Sequence, residues 1–150
     1  MYRPNVSMII FRKTDGKFLI VHKPRKHHAW QFPQGGVDPG EENEQAALRE
    51  LDEELGTKKF SILGKSQHLL FYDFPAGELR EGKYRGHKQS YFMVEYKGED
   101  NEITLHPDEL DDHRWIYQNE LADYIESQEY LKKINQVIYE FHRDKPLSGL

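Results

Sequence analysis

Gly35-Gly36-Val37-Asp38-Pro39-Gly40-Glu41-Glu42-Asn43-Glu44-Gln45-Ala46-Ala47-Leu48-Arg49-Glu50-Leu51-Asp52-Glu53-Glu54-Leu55-Gly56 is the stretch that decides how this chain is read. Its second half predicts a helix over Asn43 to Leu55. Ala46, Ala47 and Leu48 are good helix formers, Ala47, Leu51 and Leu55 repeat at i, i+4 and i+8, and Gly56 is the expected stop. Glu50, Glu53 and Glu54 then fall at i, i+3 and i+4, on one helical face, with neighbouring Cβ atoms about 5–6 Å apart. This charge placement is wrong for a plain helix. A helix C-terminus already carries partial negative charge, and each acid placed there costs a few tenths to about 1 kcal/mol. A local rule broken in this way marks a functional site. A divalent cation removes the conflict, because clustered hard oxygen ligands suit magnesium or manganese. Taken alone, such a string is more often a solvated acidic face. The Gly35-Gly36 turn upstream, able to bring carbonyls and amides close to a metal or a phosphate, shifts the balance.

Upstream of that turn, Met8 to Phe11 is apolar and rich in isoleucine and reads as a strand, Asp15-Gly16 as a hairpin turn, and Lys17 to His22 as the returning strand. Trp30 to Phe32 is a short strand entering the turn. Downstream, Lys59 to Leu63, His68 to Phe74, Gln89 to Tyr96 and Arg114 to Tyr117 have strand character, and the polar stretch Pro75 to Lys88 reads as a long loop. Leu121, Tyr124 and Ile125, then Tyr130, Ile134, Val137, Ile138 and Phe141, are spaced as helices. The sum is an α/β (α+β) fold, a mixed sheet between helices, expected as one domain over residues 1–150.

Composition narrows the classes. The absence of cysteine excludes disulfides, thiolate zinc sites and a cysteine nucleophile. The longest apolar runs, Ser7 to Phe11 and Phe18 to Val21, fall far short of the ~20 residues of a membrane helix. The first residues lack the apolar core of a signal peptide. A soluble, cytoplasmic protein is expected, with no membrane association and no obligate protein partner. With 21 basic and 26 acidic residues the net charge is −5, unlike a dedicated duplex-DNA binder. The average hides an asymmetry. Residues 41–54 hold seven carboxylates and one cation, whereas His22-Lys23-Pro24-Arg25-Lys26-His27-His28 holds no acid. No histidine pair has the H-x-x-x-H zinc spacing on a helix, and no G-x-x-x-x-G-K-[ST] phosphate loop is present.

Gly35-x5-Glu41-x7-Arg49-Glu50-Leu51-x-Glu53-Glu54-x-Gly56-Thr57 resembles the complete Nudix box, with all seven fixed positions matched and Thr57 the one semi-apolar substitute. Tyr2-Arg3-Pro4-Asn5-Val6 and Trp30-Gln31-Phe32-Pro33-Gln34-Gly35-Gly36 resemble the bacterial RNA pyrophosphohydrolases, and the related diadenosine tetraphosphate hydrolases share most of this. Gly86-His87-Lys88-Gln89-Ser90-Tyr91-Phe92 and Pro107-Asp108-Glu109-Leu110 continue the likeness, with His87 and Tyr91 standing where both groups usually have Gln and Trp. The resemblance implies a mixed-sheet α/β/α sandwich and hydrolysis of a phosphoanhydride by water with Mg2+, Mn2+ being a possible substitute. It implies Glu50 and Glu54 as principal metal ligands, Glu53 as ligand or base, and a carbonyl of Gly35-Gly36 completing the shell. Glu41 and Arg49 would orient the box, and Glu109 would bind a further metal or act as general base. Arg3, Gln34, Tyr72 and Gln89 are the implied substrate contacts. Lys23 and Arg25, from their place between a strand and the glycine turn, are candidates to grip polyphosphate. The implied substrate is a nucleotide polyphosphate, either the 5′ end of triphosphate RNA or diadenosine tetraphosphate. A non-catalytic module of the same fold is the third reading, against which the intact acid set argues.

Overall fold

The central strands are apolar on both faces, and a strand of that kind must be covered on both sides. In the computed structural model, which describes residues 1–24 and 29–144, β1 (Tyr2–Phe11) sends Val6, Met8 and Ile10 to one side of a sheet and Ile9 and Phe11 to the other. The chain continues through β2 (Phe18–Lys23), β3 (Ala29–Gln31), β4 (Gln34–Gly36), α1 (Asn43–Leu55), β5 (Phe60–Asp73), β6 (Gly86–Tyr96), β7 (Asp112–Ile116), α2 (Leu121–Tyr124) and α3 (Gln128–Asp144). Ala46, Ala47, Leu51 and Leu55 of α1 close one face of the sheet over Val6, Met8, Leu19, Val21 and Phe92. Ile134, Val137, Ile138 and Phe141 of α3 close the other over Ile9, Phe18, Ile20, Tyr91 and Met93. Full burial of each such Leu, Ile or Phe is worth about 1.5–3 kcal/mol. The expected mixed sheet between helices is borne out, and no helix among the described residues is long and apolar enough to cross a membrane.

The sheet runs β3-β2-β1-β6-β5, with β4 also on β1 and β7 also on β2. β1 and β6 are parallel; the other pairs are antiparallel. The detail that makes a site is a fork. β1 and β2 pair only at Ile10–Leu19 and Phe11–Phe18 and then part. β1 takes β4 as its neighbour at Asn5 to Ser7, and β2 takes β3 at Val21 to Lys23. The segment from Trp30 to Gly36 is thereby drawn into the opening.

Two sequence expectations are corrected. The strands expected at Lys59 to Leu63 and His68 to Phe74 are one element, β5, whose register against β6 slips between Ile62 and Gly64 and again between Lys65 and Leu69. The cause lies far away in sequence. Glu140 of α3, 9% exposed, accepts hydrogen bonds from the buried Ser66 hydroxyl and, at 3.2 Å, from the Gln67 N–H, which pins the irregular stretch to the helix. The expected loop Pro75 to Lys88 is shorter: β6 already begins at Gly86, and an isolated bridge joins Arg80 to Tyr84. Glu140→Ala leaves the buried Ser66 hydroxyl without an acceptor for its proton, although its oxygen still accepts the His68 N–H, and leaves the Gln67 N–H without its carboxylate. It should lower the unfolding free energy in urea by about 1–3 kcal/mol with the m-value unchanged. A midpoint equal to that of the parent would show that the Glu140 link contributes nothing.

Candidate active site

The acidic end of α1 is ordered by one cation from its own middle. The helix begins with the Gln45 side chain accepting the Glu42 N–H at 2.9 Å and ends at Gly56, whose φ of 67° is the left-handed conformation glycine adopts without strain. Burial of Ala46, Ala47, Leu51 and Leu55 turns Arg49, Glu50 and Glu53 to the flank of the helix. Arg49 grips Glu41 through two bonds, Nε to Oε2 at 2.8 Å and Nη2 to Oε1 at 2.9 Å. It also donates to Glu50 and to the Gly36 carbonyl at 2.9 Å each, and reaches Glu53 at 3.4 Å. The i, i+4 brace to Glu53 suggested by the helix spacing is therefore its longest hydrogen bond; the planar two-bond pair with Glu41 is the strong one. Gly35 lies against Glu50 so closely that a Cβ there would stand 2.1 Å from the Glu50 carboxyl carbon.

Two cavities open at the fork. One, of about 360 Å³, has Glu50, Glu53, Glu54 and Glu109 as its acidic lining, Lys23, Gln34 and His106 as its donors, and Gly35 beside them. The other, of about 630 Å³, is aromatic and carboxamide-lined, with Trp30, Tyr72, Tyr124 and Tyr130 against Asn5, Gln31, Gln34 and Gln89. Gln34 belongs to both. A buried chain of amides leads to it: Asn5 Nδ2 donates to Gln89 at 3.4 Å, and Gln89 Nε2 donates to Gln34 Oε1 at 2.9 Å.

The structure thus brings together Gly35, Glu50, Glu53, Glu54, Glu109, Lys23 and Gln34 around one cavity and places Gln34, Tyr72 and Gln89 on the other. Arg49 and Glu41 stand behind the glutamates as a clamp. Arg3 lines neither cavity. Its guanidinium packs on Gly36, where a Cβ would stand 2.8 Å from Nη2, and its Nε is 4.0 Å from Glu81. Arg25 lies outside the described residues. Tyr130, read from spacing as core, is 9% exposed, and its hydroxyl accepts the Phe32 N–H at 3.1 Å; the same residue also lines the aromatic cavity. Sequence reasoning missed His106 and Tyr124. A single histidine in a loop and a tyrosine in a helical stripe carry no local signal, and only the tertiary fold brings them to the cavities.

A model of the NUDIX domain matches residues 1–138. The chain belongs to the Nudix family. An RNA pyrophosphohydrolase of Wolbachia pipientis wMel is 42% identical to it over 121 residues, 76% of this chain and 74% of that one. An RNA pyrophosphohydrolase of Caulobacter vibrioides is 39% identical over 133 residues, 83% and 77% of the two chains. The solved C. elegans Ap4A hydrolase binary complex superposes with a TM-score of 0.70 at 20% identity, covering 93% of this chain and 98% of that one, and shows the shared fold.

In this Nudix hydrolase the glutamates do not share one electrostatic state. The Arg49 hydrogen bonds, and then the Asp38 N–H, hold the Glu41 carboxyl down at about 2. Burial pushes Glu50 up, although Arg49 pulls against it. Burial pushes Glu54 up to about 8. Lys23 pulls Glu54 the other way, but from 3.9 Å it does not compensate the desolvation. Glu54 Oε2 is buried and has no hydrogen-bond partner among the described residues. Among those residues no three Asp, Glu or His side chains are already drawn into a metal cage. The donor set nevertheless fits a hard divalent cation: the groups are all carboxylates, one of them buried with an oxygen unengaged. An acid raised by the fold keeps its proton when the unfolded chain has lost it. Between the ordinary 4.5 and about 8, Glu54 therefore makes stability fall as pH rises. In metal-free protein, Glu54→Gln should flatten the decline measured by denaturant unfolding from pH 5 to 8, by at most about 1.4 kcal/mol per pH unit. An unchanged slope would assign the proton to another group.

Proposed function

We propose that this Nudix hydrolase, with Mg2+ or in its place Mn2+, removes pyrophosphate from the 5′-triphosphate end of RNA. The observation that carries the reading is the pairing of cavities: a glutamate cavity containing the unengaged oxygen of Glu54 adjoins an aromatic cavity large enough for a nucleoside, and Gln34 borders both. Phosphates and base of one nucleotide span such a pair. The names of the relatives at 39–42% identity support RNA as the substrate.

In this reading Glu50 and Glu54 are the principal cation ligands, with the Gly35 carbonyl beside them. Bound Mg2+ neutralises phosphate charge and makes the attacking water more acidic. Glu53 and Glu109, both exposed at the cavity, are the two groups that can take the proton of that water. Arg49 and Glu41 hold the glycine turn and Glu50 in register. Lys23 and Gln34 receive phosphate oxygens, Arg3 meets the phosphate chain beyond Gly36, and Arg25, two residues after Lys23 in sequence, adds a further positive charge. Tyr72 stacks the base, and Gln89 orients Gln34.

One observation favours a second reading, asymmetric cleavage of diadenosine tetraphosphate. No described residue lining the aromatic cavity is a lysine or arginine, so it offers a nucleoside a seat but no counter-charge to a continuing phosphodiester chain. With Mg2+ present, kcat/KM for triphosphate-ended RNA should exceed that for diadenosine tetraphosphate by about tenfold or more. The reverse order transfers the assignment to the dinucleotide, and no Mg2+-dependent release from either removes both readings. Glu53→Gln should lower kcat by about 10²–10⁴ with an unchanged thermal midpoint. Turnover near that of the parent would leave Glu109 as the base.

A further inference from the structure

A cavity walled by carboxylates repels a phosphate chain unless donors stand among the acids. Lys23 and Gln34 are two such donors. His106 is the third, and the roles given above leave it unused. It sits in the loop that carries Glu109 and is tied to the molecule at several points. Its N–H donates to the Glu54 carbonyl at 2.9 Å, and its own carbonyl accepts from the N–H groups of Glu109 at 3.0 Å and Leu110 at 2.9 Å. The ring takes part in the turn as well: Nδ1 accepts the Asp108 N–H at 3.3 Å. A ring nitrogen that accepts bears no proton, so the neutral imidazole carries its proton on Nε2. A ring in that form offers a hydrogen bond and no lone pair for a metal. Its neighbours around the cavity, Glu50, Glu53, Glu54 and Glu109, are acceptors, as are the non-bridging oxygens of a polyphosphate.

We propose that His106 is a further substrate-binding residue, whose Nε2–H donates to a phosphate oxygen of the nucleotide polyphosphate in the glutamate cavity. The proposal rests on the phosphoanhydride reading of that cavity. It divides the lining into two jobs. The glutamates provide for the cation, and Lys23, Gln34 and His106 provide for the phosphates. The bond from the His106 N–H to the Glu54 carbonyl fixes the distance between one member of each set.

Three variants separate this role from that of holding the loop turn. His106→Asn keeps an acceptor near the position of Nδ1 for the Asp108 N–H but lacks a donor at Nε2. His106→Gln reaches the Nε2 position with an N–H, and His106→Ala has neither. Two quantities are measured with Mg2+: the affinity for a non-hydrolysable nucleoside triphosphate analogue by calorimetry, and kcat/KM for the cleaved substrate. The alanine and asparagine variants should lose about tenfold or more in both, and the glutamine variant should stay within about threefold of the parent. Mn2+ affinity without nucleotide and the thermal midpoint should be unchanged in all three. Parent-like behaviour of His106→Asn would overturn the proposal, leaving only a turn-holding role. Equal loss in the glutamine and alanine variants, or weakened Mn2+ binding in the alanine variant, would overturn it as well. If the parent shows no Mg2+-dependent hydrolysis, the phosphoanhydride reading fails instead, while the analogue titration still reads the His106 contact without turnover.

Discussion

The guanidinium of Arg49 is the interaction on which the acidic end of this molecule depends. The last turn of α1 has no basic residue of its own, and its two final glutamates lie where the helix dipole is unfavourable to them. Arg49 answers this from inside the helix. One plane of donors reaches the Glu41 carboxylate twice, the Glu50 carboxylate and the Gly36 carbonyl, so loop, strand β4 and helix become one body. A lysine, with a single point charge, does not reproduce that fork. The clamp also selects which acid is left over. Glu41 is satisfied and stays ionised, Glu50 is partly satisfied, and Glu54, beyond the reach of Arg49, is buried with an oxygen unengaged.

The sheet supplies the opening that the clamp lines. Because β1 and β2 share only two residue pairs before parting, the two short strands β3 and β4 complete their hydrogen bonding, and the two glycines expected to form a turn lie in β4, paired with β1. Gly35 in β4 then meets Glu50 of α1 with no room for a side chain, which makes glycine at this position a matter of contact rather than of backbone freedom. Tight packing of α1 on one face and α3 on the other leaves the fork as the place where polar groups converge.

Legibility from sequence followed the range of the signal. The bounds of α1 were readable because the helix formers, the periodicity and the Gly56 stop all lie within or next to the element. β1 and β6 were read too short because Tyr2 to Pro4 and Gly86 to Lys88 lack an apolar pattern and become strand by pairing with one another in parallel, Gly86 to Lys88 also with Phe71 to Asp73 of β5. The continuity of β5 rests on Ser66 and Glu140, 74 residues apart, which no local pattern reveals. The carboxylate set was readable from helical spacing, but the physics of that spacing pointed Arg49 toward Glu53. The stronger pair with Glu41 requires the loop to fold back over the helix, and it was named only through the family resemblance. The aromatic cavity drew on β3, β5, β6 and the α2–α3 junction, so Tyr124 was invisible as a site residue.

The buried state of Glu54 connects stability to function. A carboxyl that keeps its proton to about pH 8 is inert toward a cation, and it becomes a ligand only by giving that proton up. If Glu54 is the cation ligand proposed above, capture of a divalent ion near neutral pH and loss of the Glu54 proton become one linked event, and affinity would rise with pH across the window in which the empty fold prefers the protonated acid. Glu53 and Glu109 are exposed at the same cavity. The cavity thus contains two kinds of glutamate, a desolvated one, Glu54, and solvated ones, Glu53 and Glu109. Chemistry that both holds an ion and deprotonates a water needs both kinds, and burial alone separates Glu54 from Glu53, identical side chains adjacent in the chain.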